Sequence, residues 1–316
     1  MKKDLRIVFM GTPDFAVAGL KSLVDAQYTI VGVITAPDKP AGRGRKVHES
    51  AVKKFAIENG LNVLQPKNLK DESFLANLKL LKANLQIVVA FRMLPKQVWA
   101  MPEYGTFNLH ASLLPQYRGA APINWAIING EKITGVTTFF IDEKIDTGAI
   151  ILQRETEINE NDNAGSLHDK LMTLGAKLIL ETVSLIKNGE VAIKKQTHSN
   201  TLKKAPKIFK GDCKIDWSLP GETIANFIRG LSPYPTAWSI LRNGSQEVQF
   251  KVFDVSFKRE EHELDIRTIT KSKKSLTVTV KDGMIYLRTI QFSGKRKMDV
   301  KEVLNGLNLE KDACVL

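Results

Sequence analysis

Cysteine is scarce in this sequence, and its scarcity excludes several classes of protein at once. The chain has 316 residues and two cysteines, Cys213 and Cys314. Two residues so far apart cannot form a Cys-x-x-Cys metal motif, and they are too few for a disulfide framework. We interpret both as free thiols in a reducing, cytoplasmic compartment.

Long apolar runs are also missing. The stretch Leu5–Met10 is interrupted by Arg6 and ends at Gly11, which makes it too short for the core of a signal peptide. No other run approaches the roughly 20 apolar residues that a membrane-spanning helix needs. The sequence therefore predicts neither export nor a membrane partner.

Acidic residues are outnumbered, with 34 Asp and Glu against 46 Lys and Arg, which gives a formal net charge of +12. A positive field of this kind attracts polyanions such as nucleic acid. The excess is spread over both halves of the chain, so no basic tail explains it. The hydrophobic share of 43% is ordinary for a globular protein, and the length fits about two domains.

The first half of the chain alternates short β-branched runs with amphipathic stretches, which is typical of βαβ units. It predicts helices at Asp14–Ala26 and Ala164–Ile186, and strands at Arg6–Met10, Thr29–Thr35, Leu85–Ala90, Thr106–His110 and Val136–Ile141. Two of these strands are almost wholly apolar, as strands covered on both faces should be. We therefore predict an α/β domain over residues 1–189, with a Rossmann-like, mostly parallel sheet flanked by helices.

A polar, basic tract without apolar periodicity follows, and we interpret residues 190–208 as a linker that lies over the surface. The remainder, 209–316, contains short alternating segments separated by Asn243-Gly244 and Asp282-Gly283, which are strong turn signals. This pattern predicts a small β-barrel or sandwich as a second domain.

Polar residues whose side chains are able to take part in catalysis occur at the end of a predicted strand. Asn108 and His110 are two positions apart, so their side chains point to the same side, while Leu109 points to the other. Ligands of open α/β sheets bind beyond the carboxyl ends of the strands. Asp146, in the loop after Val136–Ile141, is placed to reach the same edge.

Taken singly, each of these residues has an ordinary structural explanation. Asn108 is compatible with a turn cap, His110 with a hydrogen-bonded residue at a strand end, and Asp146-Thr147-Gly148 with a simple turn. The tract Ser112–Gly119, SLLPQYRG, changes this balance because it joins the three residues into one known arrangement.

With this tract the sequence closely resembles the folate-dependent formyltransferases. Their active site combines an Asn, a His two residues on, an SLLP-type loop and a distant Asp in an Asp-Thr-Gly turn. Three further motifs are similar to the members that act on initiator methionyl-tRNA: Gly11–Phe15 (GTPDF), Lys39–Lys46 (KPAGRGRK) and Arg229–Trp238 (RGLSPYPTAW). The resemblance covers nearly the whole chain.

The resemblance implies that an amine attacks the formyl carbon of 10-formyltetrahydrofolate, the donor and co-substrate. Asn108 and protonated His110 would donate to the developing oxyanion, a contribution of about 10²–10³ in rate per donor. Asp146 would hold the His110 tautomer and position a water that relays the proton. No metal is required, and no cluster of metal ligands is present in the sequence.

The resemblance also assigns binding residues. Ser112, Leu113, Leu114 and Pro115 would line the folate pocket, opposite a wall formed by Arg92, Met93 and Leu94. This chain has Phe91-Arg92 where family members often carry Tyr-Gly.

The predicted tRNA contacts are basic. The loop Pro37–Lys46 would enter the acceptor end through Lys39, Arg43, Arg45 and Lys46, and Arg43 is the first choice for a specific contact. Lys204 and Lys207 would contact RNA beside a C-terminal barrel similar to an oligonucleotide-binding fold. We expect a monomer with initiator methionyl-tRNA and folate as its partners.

Several alternatives remain open at this stage. The same trio is compatible with a formyltransferase for a sugar nucleotide or a purine precursor, or with a formyl-carrier hydrolase. A non-catalytic RNA-binding protein would not be expected to keep Asn108, His110 and Asp146 together. Gly11-Thr12-Pro13 lacks the G-x-G-x-x-G pattern, so we predict no NAD dependence.

Overall fold

The computed structural model describes residues 3–41, 46–197, 199 and 201–316. Two units partition the chain. The first contains Met1–Gly119, Ile133–Glu157 and His168–Lys204, and the second contains Ala120–Lys132, Ile158–Leu167 and Ala205–Leu316.

The elements follow one another in chain order. The strands are β1 (Arg6–Gly11), β2 (Thr29–Ile34), β3 (Lys39–Ala41), β4 (Lys46–His48), β5 (Val63–Leu64), β6 (Leu85–Val89), β7 (Thr106–His110), β8 (Arg118–Gly119), β9 (Ile133–Phe140), β10 (Ile150–Glu157), β11 (Lys204–Ala205), β12 (Ala237–Asn243), β13 (Gln246–Arg259), β14 (Ile269–Lys271), β15 (Leu276–Val280), β16 (Gly283–Phe292), β17 (Met298–Asp299) and β18 (Cys314–Val315). The helices are α1 (Asp14–Asp25), α2 (Ala51–Glu58), α3 (Glu72–Leu80), α4 (Lys96–Trp99), α5 (Pro122–Ile128), α6 (Ala164–Asn188), α7 (Gly221–Leu231) and α8 (Val300–Leu304).

A seven-stranded sheet with the order β10-β9-β7-β6-β1-β2-β5 forms the centre of the first unit. The strands β5, β2, β1, β6 and β7 run parallel, as the alternating pattern predicted. However, β9 pairs antiparallel with β7, and β10 pairs antiparallel with β9. The Rossmann-like, mostly parallel sheet is therefore confirmed, and of its seven strands β9 runs in the opposite direction to the others.

Burial explains why the apolar runs became central strands. Every residue of β6 is buried, and so are the last five residues of β1. The turn from β1 into α1 is tight because Gly11 has no side chain. A Cβ there would lie 2.5 Å from the Cβ of Ala16 and 3.0 Å from the carbonyl oxygen of Val89. The glycine of the GTPDF motif thus serves close packing between strand and helix.

The second unit contains the predicted barrel-like sheet. Its strands are antiparallel in the order β14-β15-β16-β13-β12-β18, with β17 beside β16. A bridge between Thr268 and Cys314 joins the two ends of this order, so the sheet nearly closes on itself. Trp217 is buried in the core, and its Nε1 donates to the Ser239 hydroxyl at 2.8 Å. Turns lie at both predicted places, but each is shifted by one residue: Gly244-Ser245 connects β12 to β13, and Lys281-Asp282 connects β15 to β16.

The basic tract after α6 differs from a linker that simply lies over the surface. Lys194 exchanges two backbone hydrogen bonds with Ile150, of 2.8 and 2.9 Å, and Gln196 is only 8% exposed. The absence of apolar periodicity hid this contact, because it is made by backbone groups and by an amide side chain. Lys194 and Lys195 are exposed, as a surface segment requires, whereas the burial of Gln196 was not expected.

Two properties of the described residues bear on earlier expectations. Both cysteines are free, and burial raises the pKa of the Cys213 thiol. Among the helices that the structure describes, none combines the length and the apolar character needed to cross a bilayer.

Candidate active site

Strand β7 presents Asn108 and His110 on one face of the sheet. Leu109, between them, packs so closely on α6 that a Cβ at Gly175 would lie 2.6 Å from its Cδ2. Because side chains alternate along a strand, Asn108 and His110 face away from α6. Asn108 is half-buried and makes no side-chain hydrogen bond to another residue in the described part of the chain, so its amide is available to a ligand.

The His110 ring is fixed by a backbone carbonyl. Its side chain is buried, and Nε2 lies 2.9 Å from the carbonyl oxygen of Tyr117. A carbonyl only accepts, so Nε2 carries the proton and donates it. Nδ1 then faces the carboxylate of Asp146, with 3.8 Å between Nδ1 and Oδ2. The carbonyl of Tyr117 sets this tautomer, a contact that the sequence motifs did not reveal.

Asp146 reaches His110 by a longer route than the sequence indicated. Because β9 is antiparallel, its end lies beside the start of β7, where the Ile141 amide donates to the Thr106 carbonyl at 2.8 Å. The loop that follows must run back along β7 to bring Asp146 to His110. Asp146 adopts a φ of 54°, and its Oδ2 accepts from the Gly119 amide at 2.9 Å.

The SLLP loop is hydrogen-bonded to a threonine of β9 and a glutamine of β10. The Thr137 hydroxyl donates to the Ser112 carbonyl at 2.7 Å and accepts from the Leu114 amide at 3.1 Å. Gln153 Nε2 donates to the Leu114 carbonyl at 2.9 Å. Thr137 and Gln153 therefore shape this loop, although no motif singled them out.

The side chains of the loop divide into two groups. Those of Ser112 and Leu114 are buried, and the Ser112 hydroxyl donates to the Gln116 carbonyl at 2.7 Å. Leu113 and Pro115 are only half-buried. If the loop lines a folate pocket, we therefore expect Leu113 and Pro115 to supply apolar side-chain contacts.

The proposed opposite wall is not uniform. Leu94 is buried in the core beside Val88, whereas the Met93 side chain is 70% exposed. The Arg92 guanidinium donates to the backbone carbonyls of Pro66 and Lys67. Of these three predicted folate contacts, only Met93 presents a large free apolar surface.

The predicted tRNA loop is described only at its base. Lys39 is exposed in β3, and Lys46 begins β4, while Arg43 and Arg45 lie outside the described residues. The base is anchored by Asp38, which accepts from the Lys53 ammonium and, at 2.8 Å, from Gln65 Nε2. The hydrogen bond from Lys53 lowers the pKa of the Asp38 carboxyl.

Lys204 and Lys207 are exposed, as RNA contacts require. The Lys207 ammonium lies 5.2 Å from the ring centroid of Phe209, which is 60% exposed. An exposed ring beside a cation is also able to stack on a base. The structure therefore leaves both lysines available without assigning them a ligand.

Comparison with known proteins covers both units. A family profile described as "Formyl transferase" matches residues 5–183, and one described as "Formyl transferase, C-terminal domain" matches residues 207–308. A curated methionyl-tRNA formyltransferase of Flavobacterium johnsoniae is 56% identical over 313 residues, covering 99% of each chain. One of Bacteroides thetaiotaomicron is 54% identical over 98% of this chain and 97% of its own length.

Solved structures give the same fold at lower identity. An N-formyltransferase of Helicobacter canadensis, solved with folinic acid and dTDP-3-aminofucose, has a TM-score of 0.64 and 19% identity. The match covers 93% of this chain and all of that protein. Full-length identity above 50% and two matched family profiles leave one conclusion: the chain belongs to the methionyl-tRNA formyltransferases of the formyltransferase family.

Proposed function

We propose that this chain transfers the formyl group of 10-formyltetrahydrofolate to the α-amino group of methionyl initiator tRNA. The product is N-formylmethionyl-tRNA for translation initiation, which we place in the cytoplasm. The observation that carries the chemistry is that Asn108 and His110 share one face of β7 while Asp146, from a distant loop, lies 3.8 Å from His110. The identity to methionyl-tRNA formyltransferases over the full chain supports the choice of substrate.

The proposed reaction is an addition followed by an elimination. The neutral amino group attacks the formyl carbon, and the carbonyl oxygen becomes an oxyanion. Asn108 and protonated His110 donate to this oxygen, which stabilises the charge only as it develops. The amine proton leaves through a water held by Asp146, the bond to folate N10 breaks, and N10 takes up a proton.

The distances around His110 suit this role. Nε2 is occupied by the Tyr117 carbonyl, so the ring cannot turn without losing a buried hydrogen bond. A proton on Nδ1 of the imidazolium would point towards the side of Asp146, where 3.8 Å is too long for a full hydrogen bond. That proton is therefore free to be shared with a substrate oxygen.

One assay tests the function against its closest alternatives. Labelled formyl transfer is followed from 10-formyltetrahydrofolate to charged initiator tRNA, charged elongator tRNA, an amino sugar nucleotide and a purine precursor. We expect label in the initiator tRNA alone. Transfer to the amino sugar nucleotide or the purine precursor instead would identify a sister activity of the same family.

We propose that the loop Pro37–Lys46 contacts the acceptor end of the tRNA, and Arg43→Ala tests it. Loss of a cationic contact should raise the KM for tRNA about tenfold or more, because one contact to a charged group contributes about 1.5–3 kcal/mol. Hydrolysis of the formyl carrier should be unchanged. Lys21→Ala, which removes an exposed lysine paired with Asp25 in α1, is the control. Unchanged tRNA kinetics in Arg43→Ala would remove this loop from the proposal.

We further propose that residues 1–189 form the catalytic domain, 190–208 connect it, and 209–316 are a tRNA-binding barrel in a monomeric enzyme. The net charge of +12 supports a large electrostatic share of tRNA affinity. A protein that contacts about six phosphates loses roughly 10³-fold in affinity between about 50 and 200 mM salt. Binding of initiator tRNA, measured over that range, should weaken steeply; binding that does not respond to salt contradicts the barrel's role.

A further inference from the structure

We propose that Gln196 is a positioning residue that holds Asp146 in place against His110. This inference rests on the proposed function. Gln196 is 8% exposed, and its Nε2 donates to the carbonyls of Asp146, at 3.0 Å, and Gly148, at 2.8 Å. Both protons of the amide are therefore used on the backbone of the loop that carries the acidic partner of the site.

The other end of the same side chain is also fully engaged. Gln196 Oε1 accepts from Arg118 Nε at 3.1 Å and from Arg118 Nη2 at 2.6 Å. A flipped amide would place Oε1 against two carbonyl oxygens and the NH₂ group against a guanidinium, and all of these pairs repel. Only one orientation of Gln196 satisfies its neighbours, so the amide holds the loop in one position.

The Asp146 loop has hydrogen bonds of its own, from the Thr147 hydroxyl to Asp142 Oδ1 at 2.7 Å and to the Lys144 carbonyl at 3.2 Å, but these do not involve the Asp146 carbonyl that Gln196 binds. The φ of Asp146, 54°, is uncommon for a residue with a side chain, and residues 142–145 before it are exposed. Gln196 holds the Asp146 carbonyl, and the Gly119 amide holds the carboxylate at 2.9 Å. Backbone and carboxylate are thus fixed from two sides, which determines the direction in which the charge faces.

The same stretch of chain also supports the other partner of His110. The Lys203 carbonyl accepts from the Tyr117 amide at 2.7 Å, and the Lys203 amide donates to Gln116 Oε1 at 2.8 Å. The Tyr117 carbonyl in turn accepts from His110 Nε2. The basic tract after α6 therefore contacts both groups that flank His110, through Gln196 on the Asp146 side and Lys203 on the Tyr117 side.

Two substitutions distinguish whether Gln196 positions Asp146 through its hydrogen bonds or only fills space in the interior. Gln196→Ala removes both ends of the bridge, whereas Gln196→Glu keeps an acceptor for Arg118 but has no proton for the carbonyls of Asp146 and Gly148. We expect each to lower kcat for formyl transfer about 10- to 100-fold, the scale of a small misplacement of a catalytic group. The KM for tRNA and the dissociation constant of the folate should be unchanged. Gln97→Ala, which removes an exposed glutamine of α4 in the first unit, is the control.

A double substitution tests whether Gln196 acts through Asp146. In an Asp146→Asn background, measured in single turnover with excess enzyme, Gln196→Ala should cause no further loss, because groups that act as one unit are not additive. Wild-type kcat in Gln196→Glu, equal losses in kcat and folate affinity, or a full additional loss in the double variant would each overturn the inference. Wild-type enzyme is measured in the same assay. If it does not transfer formyl to tRNA, the proposed function fails, and this outcome is distinct from failure of the inference about Gln196.

Discussion

Replacing His110 with alanine is expected to lower kcat for formyl transfer by about 10²–10³-fold or more, the scale of one lost oxyanion donor. The dissociation constant of the folate should change little, because the loops that would line its pocket keep their own supports. Thr137 and Gln153 hold the SLLP loop without using His110. Rapid-quench kinetics for transfer and equilibrium binding for the folate measure the two quantities separately.

A histidine outside the site provides the matched control. His168 in α6 also has an aspartate neighbour, since its Nδ1 lies 2.9 Å from Oδ1 of Asp169. His168→Ala removes an imidazole from a similar pair but should leave transfer unchanged. Loss of folate binding and of thermal stability together with activity in His110→Ala would instead indicate that His110 is only a buried structural residue.

Asp146→Asn separates charge from shape at the same site. The amide oxygen of asparagine can still accept from the Gly119 amide, which Asp146 Oδ2 now does at 2.9 Å. The loop should therefore keep its position while the negative charge beside His110 disappears. We expect transfer to fall by about 10²–10⁴-fold, the scale of a lost general-base role, with folate binding intact, and normal transfer would exclude a role for the charge.

Local pattern predicted the sheet well, because short buried strands carry their own signal. The predicted Thr106–His110 coincides with β7, and α1 begins at Asp14 as expected. The direction of each strand was harder to predict, because an apolar run such as β9 has the same pattern in a parallel and in an antiparallel strand. Only the pairing of Phe107 with Phe140 and of His110 with Thr137 reveals that β9 runs against β7.

The same limit explains which site residues were foreseen. Alternation along a strand placed Asn108 and His110 on one face without any knowledge of the rest of the fold. Asp146 was expected at the same edge because its loop follows a predicted strand, but β9 is antiparallel and ends at the opposite edge. The sequence did not show that the loop runs back along β7 to His110. Tyr117 acts through its carbonyl and Gln196 through an amide in a basic tract, so neither left a signal in residue type or spacing.

Gly148 lies at the point where the Asp146 loop re-enters the sheet, and its replacement by alanine is expected to disturb both activity and stability. A Cβ at this position would lie 1.6 Å from the carbonyl oxygen of Phe140 and 2.9 Å from its carbonyl carbon. These are backbone atoms of β9, and Phe140 also donates its amide to the Ala149 carbonyl at 2.9 Å. Because β9 is held within the sheet, we expect the loop that carries Gly148 to move instead.

Movement of Gly148 shifts the carbonyl that accepts from Gln196 at 2.8 Å, two residues from Asp146. We expect Gly148→Ala to lower the free energy of unfolding by about 1–3 kcal/mol, as overpacking does, and kcat for formyl transfer by about 10²-fold. Chemical denaturation and single-turnover transfer measure the two effects. Gly306→Ala is the control, because nothing lies within 4 Å of a Cβ at that position. Normal kcat in Gly148→Ala would mean that Asp146 keeps its position without the close approach of Gly148 to Phe140. The position of the charge beside His110 would then not depend on how the loop returns to β10.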